Sequence, residues 1–256
     1  MFKRLFSLGL ISTIALSSQV FASSALEEDI YPLGDAYIVQ DTDVFTSDGE
    51  VLGTFHRGDT VNVDYQKQDY GVLPNGGMYK LGMVSKAQPV DLEITYDGIE
   101  SENYLGFANE IIAELPEKMI KALNDSGCKV IITDYDIGKD NYYGEGSDNP
   151  DWAAVTVTWS DDHSIIYVEH GKLCIEYSLL HEIGHAIDFL NGEVSSTDEF
   201  MQIYLTECTA IASEYFKSTE KEYFAEAFSM YYNSPERRAN MPQTYAYIDN
   251  IVSKYD

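Results

Sequence analysis

Residues 181–185 read His-Glu-Ile-Gly-His and lie in an apolar run with helical spacing, Ile175 to Leu190. On a helix, positions i and i+4 share one face, with their Cβ atoms about 5–6 Å apart. His181 and His185 can therefore direct ring nitrogens at one zinc ion, at the roughly 2.0–2.1 Å that zinc requires. Glu182 lies beside them, where it can act as a base on a water molecule. This combination is the zinc-peptidase signature.

A catalytic zinc takes three protein ligands and keeps one position open, so a further ligand must come from elsewhere in the chain. Asn191 occupies the position at which a metzincin would carry its third histidine, and this favours a glutamate from a later helix. Spacing alone does not choose among four candidates, Glu207, Glu214, Glu222 and Glu226. Glu222 also fits another role, as the third helical residue of a capping box that starts at Thr219.

Apolar spacing predicts that these groups are positioned by a mainly helical domain with a small sheet, over residues 98–256. Its turns and helix starts are indicated by glycines, prolines and two capping boxes, at 196–199 and 219–222. The predicted elements are helices over 104–115 and 116–123, strands over 128–133, 153–159 and 164–169, and helices over 175–190, 200–216 and 223–232, with short helices after Pro235 and Pro242.

Residues 35–92 differ from the rest, because short β-rich runs alternate with turn signals. The turns are indicated by Ser47-Asp48-Gly49, Arg57-Gly58-Asp59 and Pro74-Asn75-Gly76-Gly77. The pattern predicts a small barrel and resembles bacterial SH3-like domains, which implies either a cell-wall or peptide ligand or a spacer role. The predicted fold class is therefore α+β, an all-β barrel followed by a helical zincin-type domain.

Residues 1–22 have the pattern of an export signal. Lys3 and Arg4 form a basic start, an apolar core follows from Leu5 to Leu16, and Val20-Phe21-Ala22 offers small residues for cleavage after Ala22. No later run approaches the roughly 18 apolar residues of a membrane span. We expect a secreted protein that is soluble outside the cell or in its envelope.

The net charge and the cysteine content indicate which partners and cross-links are to be expected. The chain has 43 acidic against 16 basic residues and a net charge of −27, which disfavours nucleic acid as a partner. Cys128, Cys174 and Cys208 are an odd number for an exported protein and lack metal-binding spacing, so one disulfide with one thiol, or three thiols, fit equally. No chemistry is assigned to them.

Three ordered blocks resemble the catalytic domain of anthrax lethal factor and the related Pro-Pro endopeptidases. They are LLHEIGHAIDFLNG, STDEF and EYFAEAFSMYY, within a similarity that runs from about residue 110 to the C-terminus. The resemblance implies that Glu222 is the third zinc ligand. It also implies that Tyr215 faces the reacting oxygen and that Glu226 accepts a hydrogen bond from a ligand histidine. Asp188 is interpreted as a surface or supporting group.

The sequence thus predicts a secreted endopeptidase with one zinc ion per chain and a protein or peptide substrate. We expect the substrate to add a strand to 153–159 or 164–169. The polar loop 142–151 fits either a flap over the cleft or a plain surface loop. Two alternatives stay open, a cell-wall amidase or peptidase and a non-catalytic protein that binds the cell wall or surface.

Overall fold

The computed structural model of the chain describes residues 14–17, 31–138, 152–158 and 163–256. Apart from 14–17, the predicted export signal lies outside these residues, and so does the predicted flap 142–151. Among the described residues, no helix is long and apolar enough to cross a membrane.

The described elements are thirteen strands, six α-helices and several short 3₁₀ turns. The strands are β1 (Ile14–Ser17), β2 (Gly34–Ile38), β3 (Thr42–Phe45), β4 (Val51–Phe55), β5 (Thr60–Val63), β6 (Gln66–Lys67), β7 (Tyr70–Val72), β8 (Met78–Lys80), β9 (Val84–Ser85), β10 (Glu93–Asp97), β11 (Lys129–Thr133), β12 (Trp152–Thr158) and β13 (Ser164–Glu169). The helices are α1 (Leu105–Ile112), α2 (Glu117–Asp125), α3 (Lys172–Leu190), α4 (Asp198–Glu207), α5 (Glu220–Asn233) and α6 (Pro242–Val252).

A five-stranded mixed sheet supports the helical region, in the order β1-β12-β13-β11-β10. β10 and β11 are parallel, as are β11 and β13, whereas β12 runs antiparallel to β13 and β1 antiparallel to β12. The predicted β12–β13 hairpin is confirmed. β10 was not predicted, and it extends this sheet to residues before 98.

Helix α3 packs between this sheet and α5, and this burial explains its nearly continuous apolar sequence. Ile175, Leu179 and Ile183 belong to the main hydrophobic core together with residues of β11, β13 and α5. The helix ends as predicted at Gly192, whose φ of +83° is a backbone conformation that glycine adopts without strain.

Helix α4 is shorter than predicted, because it ends at Glu207 and not at residue 216. A 3₁₀ turn and irregular backbone follow until Thr219 caps α5. The helical periodicity of the sequence continues past Glu207, but the buried Glu207 carboxylate accepts hydrogen bonds from the first turn of α6. Tyr204 also donates to the backbone oxygen of Lys217, at 2.8 Å, and fixes the returning chain.

Residues 34–85 form two antiparallel sheets, in the orders β5-β2-β9 and β4-β3-β8-β7-β6. Within the described residues these sheets do not join into a closed barrel, so the predicted barrel does not match the strand pairing. The outer strand β4 stays unpaired on one side, with Val51 58% and Leu52 52% exposed. The core of this region is small and contains Ile38, Val63 and Leu81.

Candidate metal centre and active site

Helix α3 carries both histidines of the motif on a buried face. His181 is 0% and His185 4% exposed, and their Nε2 atoms lie 3.1 Å apart. Two ligand nitrogens at the vertices of a tetrahedron around zinc would lie about 3.3 Å apart, given bonds of roughly 2.0–2.1 Å. The pair therefore has the separation that a shared ion requires.

Helix α5 places Glu222 against this pair. The Thr219 hydroxyl accepts the Glu222 backbone N–H at 3.2 Å, which is one half of the predicted capping box. The Glu222 carboxylate faces the imidazoles, with Oε2 at 3.3 Å from Nε2 of His181 and 3.8 Å from Nε2 of His185. The donor atoms of these three residues all lie within 4.8 Å of one another.

The polar atoms at this point fit a divalent cation. Glu222 Oε2 is buried and faces the Nε2 atoms of both histidines without a well-formed hydrogen bond to either, as expected of an atom whose natural partner is an ion. Burial acts to raise the pKa of Glu222, but the facing imidazoles outweigh burial and lower that pKa to about 2. Burial, together with the charge of His181, lowers the pKa of His185 to about 4. Burial acts to lower the pKa of His181, but the carboxylates of Glu222 and Glu226 outweigh burial and raise that pKa to about 10. Because zinc binds a charged carboxylate and a neutral imidazole, an ion that binds here would displace the proton of His181.

Glu226 lies one turn further along α5 and contacts the other nitrogen of His181. Its Oε2 is 3.3 Å from Nδ1 of His181. This is the contact by which a carboxylate orients a ligand histidine and fixes its tautomer. Nδ1 of His185 has no such partner among the described residues, so the two histidines differ in their support.

Glu182 is fully buried and is held by a residue that the sequence analysis did not identify. The Thr156 hydroxyl on β12 is 2.6 Å from Glu182 Oε2, while Glu182 Oε1 has no hydrogen-bond partner in the described part of the chain. Burial raises the pKa of Glu182 to about 8. Thr156 also lines a narrow cleft together with His185 and Lys221. No sequence signal indicated Thr156, because residues 153–157 are all buried and its contact with Glu182 depends on how α3 lies across the sheet.

Tyr215 lies in the turn before α5 and is half-buried. Its ring contacts that of Phe216 edge-on, at a centroid distance of 5.5 Å, and the Phe216 ring lies 5.2 Å from that of His181. The Phe216 ring thus contacts both Tyr215 and the candidate ligand His181.

Three other acidic residues that the sequence analysis considered have different roles. Both oxygens of Glu207 accept hydrogen bonds from the start of α6. Glu214 is 89% exposed and pairs with Lys217 at 2.7 Å. Asp188 was interpreted as a surface or supporting group; it is buried, and its two oxygens accept from Ser195, at 2.7 and 2.6 Å, which fixes the turn after α3.

Sequence comparisons with known proteins agree on one family. Residues 96–251 match the family described as anthrax toxin lethal factor, N- and C-terminal domain. The chain is 31% identical over 161 residues to the Pro-Pro endopeptidase of Paenibacillus alvei, a match that covers 56% of this chain and 74% of that protein. The solved structure of a Pro-Pro endopeptidase from Paenibacillus alvei is also similar, with 24% identity and a TM-score of 0.48, covering 62% of this chain and 96% of that one.

Proposed function

Because the chain belongs to the anthrax toxin lethal factor family, we propose that it is a zinc-dependent endopeptidase. The observation that carries this proposal is the buried convergence of His181, His185 and Glu222. Two imidazoles and one carboxylate are the ligand set of many catalytic zinc sites. A zinc ion bound there would acidify a water molecule and polarise the carbonyl group of the scissile bond.

The remaining steps belong to side chains of this chain. The free Oε1 of Glu182 takes the proton of the attacking water and passes it to the departing amine, since a general base near neutral pKa can perform both transfers. Negative charge develops on the carbonyl oxygen, and the Tyr215 hydroxyl is proposed to donate a hydrogen bond to it. Glu226 keeps His181 in the tautomer whose Nε2 faces the site.

We propose that the substrate lies extended along the outer edge of β12. That edge already accepts an antiparallel strand, because β1 pairs with β12 from Ile14, opposite Thr156, to Ser17, opposite Trp152. Removal of residues 1–22 would free the edge for a peptide. Backbone hydrogen bonds to a sheet edge suit a substrate of varied sequence. By analogy with the relative from Paenibacillus alvei, bonds between prolines are the first to test.

A peptide library tests this function directly. The chain without residues 1–22 is incubated with a proteome-derived library that includes Pro-Pro sequences, with and without a chelator. We expect cleavage that the chelator abolishes and added zinc restores. Cleavage that persists after complete metal removal would overturn the proposal.

A matched variant isolates the base. Glu182→Gln removes the proton acceptor but leaves all three candidate ligands, so the protein should bind about one zinc ion and cleave nothing. Normal turnover by this variant would exclude Glu182 as the base.

We also propose that the chain is exported and that residues 35–92 form an SH3-like spacer or a module that binds cell wall or peptide. The basic and apolar start of the sequence supports export. N-terminal sequencing of the exported protein should begin at Ser23. Binding of the full exported chain to purified cell wall would distinguish a targeting module from a spacer.

A further inference from the structure

We propose that Thr156 is a positioning residue for the base, holding one carboxylate oxygen of Glu182 so that the other stays free for proton transfer. This inference rests on the proposed function, because it assigns a role within the same reaction. It concerns a threonine on β12, the strand that would form the sheet edge once residues 1–22 are removed, and it lies outside the His-Glu-Ile-Gly-His motif.

The contact between the two side chains is short and sequestered from solvent. Thr156 Oγ1 lies 2.6 Å from Glu182 Oε2, and Thr156 is 2% and Glu182 0% exposed. When Glu182 is ionised, as it must be to act as the base, a hydroxyl that donates to it at 2.5–2.7 Å makes a bond roughly twice as strong as a neutral one. Thr156 Oγ1 is also 3.0 Å from the backbone oxygen of Glu182.

This contact makes the two oxygens of the carboxylate unequal. Oε2 is engaged by Thr156, whereas Oε1 has no hydrogen-bond partner among the described residues although it is buried. Leaving a buried carboxylate oxygen unpaired is unfavourable unless another group uses it. The free Oε1 is therefore the oxygen that receives the proton.

The position of Thr156 couples the base to the substrate. Successive side chains of a strand point to opposite faces, so the pleat of β12 turns Thr156 towards α3 while its backbone faces β1. In the β1–β12 pair, Ile14 lies directly opposite Thr156. A peptide that replaced β1 beside β12 would run past Thr156, so the same strand would position both the substrate and the base.

The test compares three proteins, the wild type, Thr156→Val and Thr156→Ser. Valine keeps the shape of threonine and removes the hydroxyl, whereas serine keeps the hydroxyl. We expect kcat of Thr156→Val to fall about tenfold to a hundredfold, the effect of losing a hydrogen bond to a charged group. Its KM and zinc content should stay near the wild-type values, and Thr156→Ser should recover most of the lost rate. Thr95→Val, on β10, is the matched control on another strand of the same sheet.

Crystal structures of the same proteins without substrate give a readout that does not depend on activity. We expect the Glu182 carboxylate to leave its wild-type position in Thr156→Val and to keep it in Thr156→Ser. An unchanged carboxylate with an unchanged rate would overturn the positioning role, and so would a rise in KM with loss of zinc that serine does not reverse. A wild-type protein without activity would instead refute the proposed function, while the carboxylate position would still decide the role of Thr156.

Discussion

Glu222 and Glu226 show how one helical turn separates two roles. Both lie on α5 and both face His181, but Glu222 approaches Nε2 and Glu226 approaches Nδ1, each at 3.3 Å. The first is the proposed ligand to an ion that His185 would share. The second is proposed to act only through His181, whose Nδ1 it contacts.

Substitution of the two glutamates should therefore have different effects on metal binding. Glu222→Ala should abolish stoichiometric zinc binding under mild chelation, because one of three ligands is lost. Glu226→Gln should still bind zinc, about 10- to 100-fold more weakly, which is typical of losing a group that orients a ligand. Zinc content measured against a chelator series checks both, with exposed Glu214→Ala as the control. Equal zinc binding by wild type and Glu222→Ala would refute the ligand assignment.

Tyr215→Phe removes one hydroxyl and keeps the ring that packs on Phe216. If Tyr215 stabilises the developing oxyanion, kcat should fall about 10²- to 10³-fold, as for other donors of this kind, with little change in KM. Steady-state kinetics on a cleaved library peptide measure both constants. An unaltered rate would return Tyr215 to a packing role.

Much of the site at the residue scale was predictable from local sequence. The i, i+4 spacing alone indicated His181 and His185, because helix geometry fixes their relation. Glu222 required the family resemblance, since any later helix could have delivered a carboxylate. Thr156 could not be predicted, because its contact with Glu182 depends on how α3 lies across the sheet.

At the scale of elements, the site depends on how closely α3 approaches α5. A Cβ added to Gly184 would lie 2.9 Å from the Ala225 Cα and 3.0 Å from the Ala225 backbone oxygen. Both are backbone atoms, so a larger residue would force the helices apart. The glycine inside the motif thus sets the helix separation at which Glu222 reaches the histidines.

Gly184→Ala tests this packing, because helix propensity and the close contact predict opposite changes in the free energy of unfolding. Helix propensity alone would make alanine more stable by up to about 1 kcal/mol. The close contact predicts the opposite, a loss of about 1–3 kcal/mol together with weaker zinc binding. Denaturant unfolding and zinc titration measure the two quantities. A variant that is more stable and binds zinc normally would show that the helices do not need this approach.

Helices and strands were predicted correctly where the local spacing of apolar residues determines them. They were missed or given wrong ends where a contact with a distant part of the chain determines them. The spacing of α3 and α5 and the β12–β13 hairpin were visible in the sequence. The end of α4 was not, because it is set by the contact of Glu207 with residues 243 and 244. β10 was missed for a similar reason, since its parallel partner β11 lies more than thirty residues away.

At the scale of the molecule, the β-rich region is joined to the helical region by a buried amide. Asn109 on α1 accepts from the Val90 backbone N–H at 2.9 Å and donates to the Ser85 hydroxyl at 3.0 Å. The sequence suggested two separate units. It could not show that Asn109, in the second unit, binds the backbone of the segment that leaves the first unit. The barrel prediction was wrong because turn signals indicate how many strands there are but not which strand edges pair.

Glu207 joins two distant parts of the chain and should matter for stability rather than for chemistry. Its carboxylate accepts from the Gln243 N–H at 3.0 Å and from the N–H and hydroxyl of Thr244 at 2.9 and 2.7 Å. Glu207→Ala leaves these donors unsatisfied and should cost about 2–4 kcal/mol of unfolding free energy. Thermal unfolding measures the loss, and kcat per folded molecule should stay unchanged. A stability equal to that of Glu214→Ala would contradict this role.

The contact between Glu207 and α6 also affects which truncated forms of the chain are stable. The nitrogen donors that satisfy Glu207 lie at residues 243 and 244, whereas the proposed ligands are all present by residue 222. A fragment that ends before α6 would retain every group of the metal centre, but it would lose the donors to Glu207 and expose the apolar surface against which Tyr245 and Ile248 pack. Such fragments should be cleared by cellular proteases, so that only full-length molecules accumulate.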